Sequence, residues 1–370
     1  MKRFTILFLT ELKTWRHDPV TAMGGFIPSF FILIAFGLLF GGRLTFKLGL
    51  INHDQGPYGE MLGATFAEVL SPFGTPYYDI LDLSEDQAWE AYEKFRLDGL
   101  WVIPEDFSRR VEEGENPRLE MRFSNYNDDR AKNHRIYAAE ILWRFYEKAG
   151  YPAPPLALAE KYPLPVMIEW FPVIAVGVCL MSFMLGGIMN IFMLTYKEYI
   201  TQVTLEFGMA PRSMGWVLAP KILLALIMGL LTGTVLLVVL YLWLGIWPGA
   251  NIWAVWLLAG LVILFWVPLT LVFSLHTKRY FTGAIIVMLT GLTTFFVAGG
   301  IALVRSNWSS VTWFARAFPN LYAVDPLRDL ILFHEWPVDW NQTLVILSAF
   351  ACSALVVGVG LAVRRMRRVG

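Results

Sequence analysis

The sequence predicts an all-α membrane bundle of six transmembrane helices, with an α/β domain inserted after the first span on the outer side. Three observations lead there. Of the 370 residues, 56% are hydrophobic and only 16% are charged, whereas soluble domains carry about a quarter charged residues. Six stretches approach the roughly 20 apolar residues that a helix needs to cross hydrocarbon. Between the first two of these, residues 44–165 turn polar, and their pattern alternates between strand and helix.

Residues 1–19 come first. Phe4, Leu7, Phe8, Leu12 and Trp15 recur at helical spacing, with Lys13, Thr14 and Arg16 elsewhere around the wheel. This predicts an amphipathic helix on the cytoplasmic surface, stopped by Asp18-Pro19. "FTILFL" is too short for a secretory h-region, and Glu11 interrupts the apolar run. The first span occupies residues 20–43, with Val20–Gly42 as its apolar run. Gly24, Gly25 and Pro28 blur its start.

Within 44–165, "LTFKLGLINHD" and "YYDILDL" read as strands and "YGEMLGATFAEVL" as a helix. Ser84 followed by Gln87 is a capping box that opens the helix "EDQAWEAYEKF". "GLWVIP" is a short apolar strand, and Pro104 suits the first turn of the next helix. "PRLEMRFSN" alternates again, and Asp128–Lys148 reads as a long amphipathic helix. Alternation of this kind favours a small α/β domain. Pro152, Pro154, Pro155, Pro163 and Pro165 then form a stiff connector.

Residues 166–370 hold five spans, about Trp170–Thr195, Ile222–Trp247, Ile252–Leu275, Phe281–Val304 and Gln342–Val363. A polar loop, 196–221, separates the first two of these. A second outer segment, 306–340, is dense in aromatics and predicts a hairpin in the headgroup region or dipping partly into it. Its "WSSVTWFARAF" and "PLRDLILF" read as short helices, the latter capped by Asp325 with Pro326 at its first position.

Charge placement sets the orientation. Lys2, Arg3, Lys13 and Arg16 precede the first span, and Lys197, Arg212 and Lys221 lie in the 196–221 loop. Lys278, Arg279 and the terminal Arg364, Arg365, Arg367 and Arg368 fall on the same side of a six-span chain. Both termini are therefore expected in the cytoplasm. The expected home is a cell membrane, bacterial and inner, with membrane lipid around the spans.

Several activities lack their chemistry. A formal net charge of zero gives no support to a nucleic-acid partner. Arg43, Glu169, Lys221 and Arg305 all lie near span boundaries, so no mid-span charge suggests an ion-coupled pump. No lysine follows a glycine, which excludes a P-loop ATPase in this chain. The five histidines are scattered, no catalytic set is predicted, and no metal site. Cys179 and Cys352 sit in apolar runs and read as small core residues. His53-Asp54 reads either as a catalytic pair or, more simply, as the polar end of a strand.

The order of these elements resembles that of ABC-2-type exporter permeases, and local residues agree. In "TLEFGMAPRSMGWVLAPK", Thr204, Leu205, Glu206, Pro211 and Lys221 resemble the family's loop between its second and third spans. "VIPEDFSRRVEEG" is similar to the family's Ile-Pro-x-x-Phe segment through Ile103, Pro104, Phe107 and Gly114. "NLYAVDPLRDLIL" resembles its outer segment ending in an arginine, here Arg328. The family's glycine before Thr-Leu-Glu is Val203 here.

The resemblance implies that the loop docks on a separate ABC ATPase subunit. Thr204, Leu205, Glu206, Gly208, Pro211, Arg212 and Lys221 are then coupling residues, with Trp15 and Arg16 beside them. ATP and Mg would be bound by that partner and no cofactor by this chain. A second permease chain, forming a homo- or heterodimer, would complete the substrate path, with room for a periplasmic adaptor. Candidate path residues are Met181, Met184, Asn190 and Phe192, with Thr293, Thr294, Phe295 and Phe296. Gly186–Asn190, "GGIMN", reads alternatively as close helix packing. The cargo would be drug-like, lipid or otherwise amphipathic. The alternative function is a non-transporting membrane scaffold or sensor with an outer binding domain.

Overall fold

The structure, a computed structural model, describes residues 2–40, 45–71, 74–94, 96–115, 117–123, 128–151, 170–201, 215–301 and 310–369. The chain divides into two compact units, Met1–Gly41 with Ile168–Gly370, and Gly42–Met167. The Pro-rich connector lies outside the described residues.

The first unit is helical. It begins with α1 (Lys2–Arg16), α2 (Pro19–Gly24) and α3 (Phe26–Phe40). Asp18 caps α2 by accepting from the Thr21 N–H, and Pro19 takes the first helical position, where its missing N–H is harmless. The unit continues with α8 (Trp170–Ile200), α9 (Gly215–Leu244), α10 (Ile252–Ser274), α11 (Tyr280–Val297), α12 (Ser310–Ala315), α13 (Pro319–Arg328) and α14 (Trp340–Val369). Among the described residues, six helical stretches are long and apolar enough to cross a membrane: Pro19–Leu39, Trp170–Glu198, Gly215–Leu244, Gly249–Ser274, Tyr280–Val297 and Trp340–Arg367.

α8 is the hub. It is apolar all round and packs against α3, α9, α10 and α11, so that Ile174, Val178, Phe183, Met184, Ile188 and Phe192 are fully buried. Small residues let the backbones meet. A Cβ on Gly25 would fall 2.6 Å from the Gly186 Cα, and one on Gly186 would fall 2.6 Å from the Thr232 Cβ and 3.0 Å from the Gly229 Cα. Spans one, two and three therefore cross at glycine. This is the close packing that "GGIMN" suggests.

Span limits differ from the expected ones in two informative places. The third span starts at Gly215 and not Ile222, so Lys221 lies inside α9 and is 1% exposed, where a boundary lysine was expected. The fifth ends at Val297 and not Val304. Gly299 takes φ +83°, its N–H donates to the Phe296 carbonyl, and the Gly300 N–H donates to the Phe295 carbonyl. That pair of bonds closes a helix on a left-handed glycine.

The aromatic segment also departs from expectation. α13 opens at Pro319 with Phe318 at its N-cap, so Asp325 and Pro326 stand inside the helix that Asp325 was expected to cap. Its carboxylate accepts from Arg328 Nη1 at 3.0 Å instead. A π turn, Asp329–Phe333, follows and ends at His334, whose φ is 58°. Ala323, Val324, Leu327, Leu330 and Ile331 join the same core as the spans, packed on α8, α10 and α14. The segment is thus part of the bundle, not only an interfacial hairpin.

The second unit is a four-stranded sheet with helices on both faces. Its elements are β1 (Phe46–Asn52), α4 (Pro57–Glu68), β2 (Tyr78–Leu81), α5 (Glu85–Glu93), β3 (Gly99–Ile103), α6 (Phe107–Glu112), β4 (Glu120–Phe123) and α7 (Asp128–Lys148). The strand order is β2-β1-β3-β4, with β1, β2 and β3 parallel and β4 antiparallel to β3. Strand alternation divides the apolar residues. Leu48, Trp101 and Ile103 meet α4, α6 and α7 through Leu62, Phe66, Phe107, Ile141 and Phe145, while Ile51 and Leu100 meet α5 through Ala88. The capping box is present, with the Ser84 N–H donating to Gln87 Oε1 at 3.1 Å. Pro104 falls short of the helix that it was expected to open. Its carbonyl instead accepts from the Phe107 N–H, in the turn before α6.

Asp54 binds this sheet together at the carboxyl ends of β1 and β3. Oδ1 accepts from the Ser108 N–H at 3.0 Å, and Oδ2 accepts from the Gly56 and Gly59 N–H groups at 3.2 and 3.1 Å and from the Ser108 hydroxyl. His53 points to Glu85, with Nε2 3.5 Å from Oε1. The carboxylate is thus committed to the first turns of α4 and α6, which is the polar strand end and not a catalytic pair. Asp54→Ala leaves these buried donors without their acceptor, and charged hydrogen bonds are each worth about 1.5–3 kcal/mol. Residues 45–151, produced as a soluble fragment, should lose about 3 kcal/mol of urea stability on this change. An unchanged midpoint would show that Asp54 does not hold the two helices.

Candidate functional site

The predicted coupling residues divide in two. Thr204, Leu205, Glu206, Gly208, Pro211 and Arg212 lie outside the described residues. Trp15, Arg16 and Lys221 are described, together with the helices that lead into and out of that loop.

α1 places Phe8, Glu11, Leu12 and Trp15 on one face, at spacings i, i+3, i+4 and i+7. Phe8, Leu12 and Trp15 pack on Leu194 of α8 and on Leu224 and Met228 of α9. Glu11 sits in the same inward face and is 8% exposed. Its carboxylate pairs with Lys221 Nζ, which also pairs with Glu198 in the last turns of α8. One buried ammonium therefore joins α1, α8 and α9.

Two further ties run beside it. Trp15 Nε1 donates to Asn190 Oδ1 at 2.7 Å, and Asn190 Nδ2 donates to the Gly186 carbonyl at 2.6 Å. Lys197 pairs with Asp18 after the end of α1. Burial acts to raise the Asp18 carboxyl pKa, but Lys197 and Thr21 outweigh it and hold the group below the usual carboxylate range. Arg16 is exposed. Breaking a buried ion pair by removing one partner costs about 3–5 kcal/mol, because the other charge is stranded. Such groups are therefore held in place wherever the fold keeps them.

The candidate path residues sit as follows. Met181, Met184 and Phe192 are buried in α8, and Phe192 faces Tyr196 and Tyr280. Asn190 makes the two bonds just given. Thr294 and Phe295 are buried in α11, whereas Thr293 and Phe296 are exposed on its other side. The Thr294 hydroxyl donates within its own helix, to the Thr290 and Gly291 carbonyls, both at 2.9 Å. A small cavity lies where Met181, Thr294 and Phe295 meet Asn320 of α13. Asn320 accepts from Trp266 Nε1 at 2.8 Å.

Arg328 closes the opposite end of α8. Nη2 donates to the Gly299 and Gly300 carbonyls at 2.7 and 3.1 Å, and Nε to the Val173 carbonyl at 3.4 Å. A cation thus sits on the carbonyl end of α11 and on the start of α8. Burial pulls the guanidinium below the usual arginine range, against the opposing pull of Asp325.

The residues that sequence reasoning missed are Glu11 and Glu198 as partners of Lys221, the Asp18–Lys197 pair beside them, and Asn320 beside the path. Glu11 carried a signal, since it is an acid on the apolar face of its helix. The others carried none, because their partners are far away in the chain.

This layout ties one short helix to two spans through a shared buried lysine. A family model described as "ABC-2 family transporter protein" matches residues 26–362. The chain belongs to this family. It is an ABC-2-type permease, a multi-pass membrane protein, and so the membrane subunit of an ABC transporter that partners an ABC ATPase subunit. Permeases of this family are membrane transport subunits and are generally not catalytic themselves. No curated protein and no solved structure matches the chain.

Proposed function

We propose that the permease is the membrane subunit of an ATP-driven exporter for an amphipathic, drug-like or lipid-class substrate. It works as a dimer, and its 202–214 loop docks on an ATPase chain that binds ATP and Mg. The observation that carries this reading is the convergence of α1, the end of α8 and the start of α9 on Lys221, at the root of that loop. A push delivered to the loop meets a base already bound to the bundle. Charged and turn-forming loop residues, Glu206 and Arg212 with Gly208 and Pro211, suit a reversible docked contact.

The interior supports a path between two chains. α8 is packed on all sides, and the cavity beside Met181 is small. The least buried spans are the first, fifth and sixth. On them Ile27, Phe31 and Leu38 of α3 and Phe281, Ile285, Leu289 and Phe296 of α11 are exposed. Apolar faces of this kind suit a second permease chain, lipid or an amphipathic cargo.

The same reading puts residues 44–165 outside the inner membrane, open to an adaptor, and both termini in the cytoplasm. Glu113 and Lys13 are exposed and lie on opposite sides in this scheme. In a Cys352→Ser background, Glu113→Cys should react with an impermeant thiol reagent added to cells whose inner membrane is sealed, and Lys13→Cys only after lysis. Labelling of Lys13→Cys in sealed cells would overturn the topology. Purification of the permease should also bring an ABC ATPase with it. Recovery with no ATPase would favour the scaffold or sensor reading instead.

A further inference from the structure

Glu11 interrupts the apolar face of α1, yet it is turned inward, next to Phe8, Leu12 and Trp15. An apolar residue at that position would complete the packing without removing a charge from water. The carboxylate instead meets Lys221, which is shared with Glu198. Glu198 and Lys221 are the described charges nearest the two ends of the 202–214 loop. The Trp15–Asn190 hydrogen bond and the Asp18–Lys197 pair lie on the same side of α8 and tie the same N-terminal segment to it.

From this we infer that Glu11, Lys221 and Glu198 form a charge clamp that binds the two roots of the loop to each other and to α1. The three move as one body when the ATPase pushes. They are positioning residues that touch neither ATP nor cargo. Apolar packing alone lets helices slide and rotate against each other, because it has little directionality. An ammonium donating to two carboxylates on different helices fixes their separation and register together. Without the clamp, motion of the loop would tilt α8 and α9 separately and leave α1 behind. This inference rests on the coupling role of the loop proposed above.

The test uses the full chain with the ATPase that co-purifies with it. Lys221→Met alone strands two carboxylates and is expected to reduce the yield of folded chain. The deciding variant is Glu11→Gln, Lys221→Met and Glu198→Gln together, which removes all three charges. Its companion is the sign-reversed triad, Glu11→Lys, Lys221→Glu and Glu198→Lys, in which one carboxylate faces two ammonium groups. Hydrogen exchange of α1 in the chain alone reports the clamp, and ATP turnover by the co-purified ATPase, with and without permease, reports coupling.

The neutral triple variant should fold and retain the ATPase, with α1 amides exchanging at least tenfold faster. The permease-dependent change in ATP turnover should fall at least fivefold. The sign-reversed triad should recover most of both. Unchanged α1 protection in the neutral triple variant would show that packing and the Trp15 and Asp18 ties hold α1 without the clamp, and would end the proposal. Faster exchange with normal turnover would end it equally, since the clamp would then be structural only. If no ATPase accompanies even the wild-type chain, the coupling role of the loop fails first, and the exchange data alone decide whether the clamp holds α1.

Discussion

Replacing Gly186 by leucine should strongly destabilise the folded permease. A Cβ there would fall 2.6 Å from the Thr232 Cβ and 3.0 Å from the backbone of Gly229, and Gly25 approaches from the other side at a similar distance. Backbone cannot rotate aside as a side chain can, so three spans must move apart. Overpacking a tight core costs about 1–3 kcal/mol and sometimes more. With backbone as the obstacle, the upper end of that range applies. A loss of about 3 kcal/mol lowers the melting temperature of a domain of this size by about 6–12 °C. Gly360→Leu is the control, because nothing lies within 4 Å of the Cβ it would gain. Both variants are compared for monodisperse yield in detergent and for thermal unfolding. Equal behaviour of the two would show that the crossing at Gly186 is not tight.

Glu206→Arg should leave the permease inserted and folded yet unable to transport. Glu206 falls in the 202–214 stretch between α8 and α9, outside the described residues, and the described packing of those two spans involves other residues. At a desolvated interface, reversing one charge of a close pair costs about 2–5 kcal/mol, which is a loss of roughly 30-fold or more in affinity. The co-purifying ATPase should therefore be recovered in much smaller amount, or recovered without the permease's effect on its turnover. The variant is to be compared with wild type in yield, ATPase recovery and ATP hydrolysis. Normal recovery with normal coupling would reduce Glu206 to a solvated loop charge. Loss of insertion would assign it a structural role instead.

These two variants act at different levels of what the chain encodes. The glycine crossing was visible as a pattern, since "GGIMN" already suggests close packing, but the residues facing it were not. Gly25, Thr232 and Gly229 become its neighbours only when three separate helices are assembled. The loop motif behaved in the opposite way. It rests on the order of residues in the chain, since residues 204–212 lie outside the described ones, and the structure contributes the helices at its ends and the charges beside them.

The sequence alone determined what depends on local or periodic physics. Apolar runs of sufficient length specify six spans whatever their neighbours, because unsatisfied backbone cannot face lipid. Period-two and period-3.6 patterns, with the capping box at Ser84, specify the strands and helices of the α/β unit. Tertiary structure decided the rest. Asp325 was expected to cap a helix, yet it stands inside one that opens at Pro319, where Ala323, Val324 and Leu327 are buried against the spans. Lys221 looks like a boundary lysine until α1 and α8 bring Glu11 and Glu198 to it, from 210 and 23 residues away in the chain. Hydropathy counts how polar a residue is, but only folding determines which charge it meets. That is why the spans could be read directly and the clamp beneath them could not.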